Sequence, residues 1–312
     1  MNAKISIAMA TYNGQKYIRE QVDSILAQSF TDWELVVCDD CSTDKTVEIL
    51  NEYAQKDSRI KVYKNEQNLG FKKNFEKAMN LCSCEYIALS DQDDVWTENH
   101  LQILLDNIGT KDLISGNAKL VDSELNDLGT DLFSTQKYEI IPDNKEDWFF
   151  FLMHGNIFQG AAMLFKKNLL NKALPIPENV KFHDYWLALL ASLENGVAYE
   201  KIPVLLYRQH GTNVTKNEKW KLLNKINDAF FTNKKQKKIE LQTTILTALE
   251  DRVPNPEIQK SISNAKKYFL SLDGIKRFSV VSYFVKNYKR IYLNNSKKLF
   301  ALRFIKSIAL GI

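Results

Sequence analysis

Tyr86-Ile87-Ala88-Leu89-Ser90-Asp91-Gln92-Asp93-Asp94 passes from an apolar run into three carboxylates within four positions. A short apolar run closed by turn residues reads as a buried strand. The acidic end belongs at an edge, because unpaired charges are expensive to bury. Toward the N-terminus the same shape recurs. Residues 5–10 are apolar and stop at Thr11-Tyr12-Asn13-Gly14, and residues 33–38 stop at Asp39-Asp40-Cys41-Ser42-Thr43-Asp44. Helical spacing fills the intervals. Tyr17, Val22, Ile25 and Leu26 carry one helix up to Gln28, and residues 45–54 carry another behind a Ser42, Thr43 or Asp44 cap. A third strand at 60–63 precedes a helix over 71–81, and a helix over 97–108 precedes a strand near 113–115. Repeated β-α-β units with continuous apolar strands predict an α/β fold: a Rossmann-like, mostly parallel sheet with helices on both faces. Ligands of such sheets bind beyond the carboxyl ends of the strands, where all three polar clusters fall. They should form one site.

Farther along, residues 123–147 read as a polar loop, 159–165 as a strand, 184–193 as a helix and 204–207 as a last strand. That strand leads into Arg208-Gln209-His210-Gly211-Thr212-Asn213. After Lys216 glycine almost vanishes, lysine becomes abundant and apolar residues recur at helical spacing, with Pro254 and Pro256 marking a break. Two domains are expected: residues 1–215, which bind the ligand, and residues 216–312, a mainly helical, basic C-terminal extension. The charge supports this division. The first 215 residues hold 21 basic and 31 acidic side chains, and the remainder hold 21 basic and 7 acidic. An acidic front suits metal ions, and a basic tail suits phosphate or an anionic membrane surface.

Hydrophobic residues at 45% and charged residues at 26% exclude a largely disordered chain, and 11 Gly with 6 Pro exclude collagen-like repeats. No apolar run approaches the ~18 residues a membrane helix needs. The opening MNAKISIAMATYNG has too short an apolar stretch for a signal peptide. The expected location is therefore the cytoplasm, with peripheral contact at the inner face of the cell membrane if the basic tail binds lipid. Cys38, Cys41, Cys82 and Cys84 are expected as reduced thiols. Their spacing suits core packing better than a zinc site.

Three carboxylates in Asp91–Asp94 repel one another, and a divalent cation removes that penalty. Hard oxygen ligands favour Mg²⁺ or Mn²⁺, often shared with substrate phosphates. The competing reading is a solvated turn. Asp39-Asp40 can accept hydrogen bonds from a base or ribose, or serve turn chemistry alone. Neither GxGxxG nor GxxxxGK[ST] follows the first strand, and HExxH, GxSxG and Cys-His patterns are missing. Of the histidines, His100 on a helix reads as structural, as does Trp96 beside the acidic cluster. Tyr185 and Trp186 suit either sugar stacking or the core.

Residues 5–14, Asp39-Asp40-x-Ser42-x-Asp44, Asn68-Leu69-Gly70 and Asp91–Asp94, in this order, resemble family-two inverting glycosyltransferases of the GT-A fold. Gln159-Gly160-Ala161-Ala162, His183-Asp184-Tyr185-Trp186 and Tyr207-Arg208-x-His210-x-x-Asn213 are similar to bacterial rhamnosyltransferase-like enzymes that build surface polysaccharides. The resemblance covers about residues 3–215. It implies that Thr11, Tyr12 and Asn13 line a nucleoside pocket, with Asp39 or Asp40 on the base or ribose. Asn68, Lys73 and Gln92 belong to the donor pocket. Asp93, His210 and Asp91 are the implied metal ligands for Mn²⁺ or Mg²⁺, with Asp91 also near the donor sugar. Asp184 is the implied general base, although His183 stands where many relatives carry an acid. Gln159, Gly160, Tyr185 and Trp186 are placed near the acceptor.

The expected activity is metal-dependent transfer of a sugar from a nucleotide-diphosphate donor to a hydroxyl of a growing surface polysaccharide or lipid-linked glycan. dTDP-L-rhamnose is the favoured donor and UDP-sugars follow. A non-catalytic nucleotide-sugar-binding partner of a polysaccharide-assembly complex is the alternative. In the tail, Lys234-Lys235-x-Lys237-Lys238 and residues 297–312 mix cations with large apolar residues. That pattern suits an anionic membrane, a homo-oligomer contact or simple packing on the catalytic domain. Nothing points to nucleic acid.

Overall fold

The computed structural model describes residues 4–136, 138–210, 232–271 and 285–289. The apolar runs of the N-terminal third become strands β1 (Ile5–Thr11), β2 (Trp33–Asp39), β3 (Ile60–Lys64) and β4 (Tyr86–Ser90). Helices α1 (Ile18–Leu26), α2 (Thr46–Lys56) and α3 (Phe71–Leu81) connect them. The parallel pairs β1–β2, β2–β3 and β1–β4 follow, with Ile5 opposite both Trp33 and Tyr86. Every residue of β2 is buried, as a strand covered on both faces should be.

After β4 come β5 (Val95–Trp96), α4 (His100–Asn107), β6 (Leu113–Val121), β7 (Asp127–Asp131), the four-residue α5 (Leu132–Thr135) and α6 (Lys145–Leu152). The polar loop expected over 123–147 is thus largely a β-hairpin and two helices. Its strand β7, Asp-Leu-Gly-Thr-Asp, turns on Gly129 at φ 71° and lacks any apolar alternation. The strand expected over 159–165 begins with a 3-10 turn, Gly160–Ala162, before β8 (Met163–Lys166). α7 (Leu170–Ala173), α8 (His183–Leu193) and β9 (Val197–Arg208) complete this part.

The nine strands form one sheet in the order β3-β2-β1-β4-β8-β6-β9-β5, with β7 paired to β6. β8 runs antiparallel to both β4 and β6, and β6 is parallel to β9. Two consequences set the site. The carboxyl ends of β6 and β9 share an edge with those of β1, β2 and β4. Because β8 is reversed, the 3-10 turn at Gly160 that leads into it lies on that same edge. The buried cluster beneath includes Ile7, Met9, Val22, Leu35, Val37, Ala88, Leu164 and Leu205.

The chain divides into two compact units. The first takes residues 1–136, 156–176 and 181–211, and the second takes 137–155, 177–180 and 212–312. Within the second, α9 (Thr232–Glu250) stops before Pro254, and α10 (Pro256–Ser271) starts on a proline, whose missing N–H suits a first helical position. Asn255 caps it, its Oδ1 accepting from the N–H of Glu257 at 2.9 Å. The amphipathic stretch 297–312 lies outside the described residues. Among the described residues no helix is long and apolar enough to cross a membrane.

Candidate active site

Each loop leaving the sheet edge is pinned by side chains of its neighbour. The Thr11 hydroxyl donates to Asp39 at 3.0 Å, and Asp39 also accepts from the N–H (2.9 Å) and the hydroxyl of Ser42. The N–H groups of Asn13 and Gly14 donate to Ser42 Oγ and Thr46 Oγ1, and Asn13 Oδ1 accepts from the Thr43 N–H. Asn13 holds φ at 50°, a left-handed conformation that asparagine tolerates better than most residues. Asp40 is buried and receives Asn65 Nδ2 and the N–H groups of Leu69 and Gly70 at 2.7, 2.7 and 2.8 Å. Its carboxylate is therefore committed to the loop before α3. Asn68 serves that loop too, donating to the Asp40 carbonyl at 3.1 Å. Lys73 lies one turn into α3, 3.7 Å from Glu76.

The acidic cluster is tied to the first loop by an amide exchange. The Tyr12 N–H donates to Gln92 Oε1 at 2.9 Å, and Gln92 Nε2 donates to the Tyr12 carbonyl at 3.0 Å. A Cβ at Gly14 would stand 2.3 Å from Gln92 Oε1, so this pairing needs glycine there. Tyr12 itself is half exposed.

Behind the cluster stands Arg208 at the end of β9, its side chain only 1% exposed. Nε donates to the Asp93 carbonyl at 2.8 Å, Nη1 to the Ser123 carbonyl at 2.6 Å, and Nη2 to Glu20. Its backbone N–H donates to Asp94 Oδ1 at 3.0 Å, and its guanidinium lies 4.4 Å from the Tyr17 ring centre. This is the site residue that sequence reasoning left without a role. The signal was present in the Tyr207-Arg208-x-His210 motif, but only coordinates reveal that the guanidinium collects backbone carbonyls. Two residues on, His210 Nε2 meets Asp93 Oδ2 at 2.8 Å, with the imidazole 5.0 Å from the Tyr17 ring.

Asp184 sits in the first turn of α8. Its carboxylate accepts from the Tyr185 N–H at 2.6 Å and from the backbone N–H of Gly160. Burial nevertheless pushes its pKa up to about 6. Burial also raises Asp91, and the negative fields of Asp93 and Asp184 raise it further. The charge of Asp184 therefore reaches Asp91, although Asp184 stands on α8 and Asp91 on the loop after β4. Asp94, fully buried, is raised well above its ordinary value by burial and by the charges of Asp93 and Asp91, and its Oδ2 has no hydrogen-bond partner among the described residues.

Of the remaining expectations, one is narrowed by the structure. Trp186 is fully buried, and its indole N–H donates to the Ala173 carbonyl at 2.9 Å. It is a core residue and cannot stack on a sugar. Gln159 and Tyr185 are half-buried beside Gly160 and Asp184. His100, as expected of a structural histidine, stacks 3.8 Å from Trp96 and donates from Nδ1 to the Val204 carbonyl at 2.9 Å.

Residues 6–174 match the model of the family described as glycosyl transferase family 2. The chain belongs to that family. An uncharacterized glycosyltransferase of Methanocaldococcus jannaschii, MJ1057, is 32% identical over 195 residues, 60% of this chain and 65% of the relative. The chain thus spans just under two thirds of that relative's length. The dTDP-rhamnosyl transferase RfbG of Shigella flexneri is 28% identical over 72% of this chain and 80% of its own length. Among solved structures, S. aureus TarS 1-349 in complex with UDP-GlcNAc superposes with a TM-score of 0.58 at 19% identity, covering 98% of this chain and 81% of TarS. The mannosyltransferase PcManGT of Pyrobaculum calidifontis, in complex with GDP-Man and Mn²⁺, gives 0.53 at 16%, covering 100% and 86%. The fold of this family 2 chain is the GT-A type that the resemblance implied.

Proposed function

We propose that this chain is an inverting glycosyltransferase that moves a sugar from a nucleotide diphosphate to an acceptor hydroxyl, with Asp184 as general base. The observation that carries the reading is that the negative field of Asp184, from a distant part of the chain, is felt at buried Asp91 in the acidic cluster. Displacement at an anomeric carbon proceeds in line through an oxocarbenium-like transition state. A base on the face opposite the leaving diphosphate must take the acceptor proton, and a carboxylate raised to about 6 is ionised at neutral pH yet basic enough to do so. Thr11, Tyr12 and Asn13, with Asp39 behind them, form the wall for the nucleoside. Asn68, Lys73 and Gln92 border the donor, and Gln159, Gly160 and Tyr185 border the acceptor.

Asp93 Oδ2 and His210 Nε2, meeting at 2.8 Å beside Asp91, offer oxygen and imidazole donors that suit Mn²⁺ or Mg²⁺. A cation held there would stabilise charge building on the leaving diphosphate. Among the described residues no set of three metal-ligating side chains is already gathered, so diphosphate oxygens and water would complete the shell. Arg208 keeps the Asp93 backbone in place from behind.

For the donor sugar the reading favours L-rhamnose from dTDP, supported by the likeness to RfbG, with UDP-sugars next. The acceptor is a surface polysaccharide or lipid-linked glycan. Residues 1–215 are assigned to the reaction, and residues 216–312 to membrane contact, self-association or support. The test is turnover of a panel of sugar nucleotides with Mn²⁺, by wild type, Asp184→Asn and Asp93→Asn. Loss of turnover with retained nucleotide binding in the Asp184 variant fits an enzyme. Equal turnover by all three would refute the assignment, and binding without turnover by any would favour a non-catalytic binding partner.

A further inference from the structure

His183 opens α8 immediately before Asp184, and its imidazole has no hydrogen-bond partner among the described residues. The residue is 7% exposed, and neither Nδ1 nor Nε2 makes a hydrogen bond to a described residue. Burial pushes its pKa down to about 3, which keeps the ring neutral. A neutral imidazole has one N–H donor and one lone-pair acceptor, and leaving both unmet in a buried place is destabilising. The ring stacks on Phe75 with centroids 4.1 Å apart. Packing alone would be served better by phenylalanine.

Gly160 determines what the imidazole faces. A Cβ at that position would lie 3.5 Å from His183 Nε2 and 3.7 Å from Asp184 Oδ2. The missing side chain leaves a small hollow bordered by both polar atoms. A sugar whose edge filled that hollow would bring hydroxyls toward both atoms. We propose that His183 Nε2 hydrogen-bonds a sugar hydroxyl held over Gly160 beside Asp184, and so selects which sugar reacts. The proposal rests on the assignment of Asp184 as base. A hydroxyl both donates and accepts, so either tautomer of the ring can bind it. The hydroxyl belongs either to the acceptor, next to the one that reacts, or to the donor sugar.

The test uses the full chain carrying ¹⁵N in its histidines, with the His183 signals assigned by their loss in His183→Phe. UDP, UDP-glucose and dTDP-rhamnose probe the donor. UDP with methyl rhamnoside or methyl glucoside probes the acceptor. Movement of the His183 nitrogens with a sugar nucleotide, beyond that caused by UDP, supports the proposal and assigns the donor. Movement only on adding a methyl glycoside supports it and assigns the acceptor. A sugar nucleotide that raises the melting temperature while His183 stays still, with or without glycoside, overturns the proposal but leaves the base assignment standing. If no nucleotide or sugar nucleotide stabilises the chain, the transferase reading fails first and takes this one with it. In kinetics, His183→Phe keeps the stacking and should lower kcat/KM roughly 10- to 100-fold. His183→Gln, which returns a polar group near Nε2, should recover most of that loss. No loss in the first variant, or a loss the second does not restore, marks a packing role and overturns the inference.

Discussion

The carboxylate proposed as the base is one that the fold keeps half-buried, at a measurable penalty. Asp184 has its pKa raised to about 6 by burial, against an ordinary value of 3.8, despite three backbone N–H groups, of Tyr185, Gly160 and Asp184 itself, that favour the ion. Asp184→Asn should lower transfer by roughly 10²- to 10⁴-fold, the usual worth of a positioned base. In wild type, kcat/KM should climb as pH rises through about 6 and level off above it. The sign for stability runs the other way. The folded chain binds this proton more tightly than the unfolded chain, so the stabilisation is full below about pH 4 and is lost as pH rises through 6. Urea denaturation should therefore find Asp184→Asn gaining on wild type at pH 7.5 relative to pH 4.5. A variant that loses ground at the higher pH contradicts the buried-carboxylate account. From the sequence, Asp184 was visible only through the motif His183-Asp184-Tyr185-Trp186, because its burial is made by Gly160 and the start of α8. Trp186 was misleading for the same reason: nothing local says which face of α8 points inward.

Secondary elements matter here through how they approach one another, and two glycines separate site geometry from fold stability. At Gly14 an added methyl would meet only the tip of Gln92, a side chain that can swing away. Gly14→Ala should keep the melting temperature within a degree or two of wild type. It should break the exchange between Tyr12 and Gln92, and raise donor KM severalfold in steady-state assays. At Gly116 the methyl would meet Val204 Cγ2 at 2.4 Å, between β6 and β9 in the sheet interior. Gly116→Ala should destabilise by about 1–3 kcal/mol in equilibrium unfolding, the range for overpacked cores. The strands β1 to β4 were legible because each is an apolar run closed by turn residues. β5 has only two residues, and β7 has Leu128 as its one large apolar residue, so neither has a periodicity to read. α6 was passed over because it straddles the expected loop boundary at 147, its aromatic half beginning only at Trp148.

At the scale of the molecule, the reversed β8 lets one sheet deliver residues 11, 39, 91, 93, 160 and 208 to a single edge. That arrangement should register ligands as global stability. A sugar nucleotide with Mn²⁺ at 100 times its Kd should add roughly 2.7 kcal/mol, several degrees in a thermal shift assay. Omitting Mn²⁺ should shrink the shift, and an Asp93→Asn variant should no longer respond to the metal. The sheet edge was predictable from the alternation of strands and helices. The second unit's claim on residues 137–155 was not, since those residues sit in the chain between strands of the first.

The four cysteines, at 38, 41, 82 and 84, all lie in the β1–β4 half of the sheet. Three are buried, and burial lifts the thiols of Cys38 and Cys82 far from the reactive thiolate. An alkylating reagent would thus meet little more than Cys41 while the chain is closed. The rate at which the remaining three are modified becomes a clock for breathing of that half alone, wired into the native chain without any engineered label.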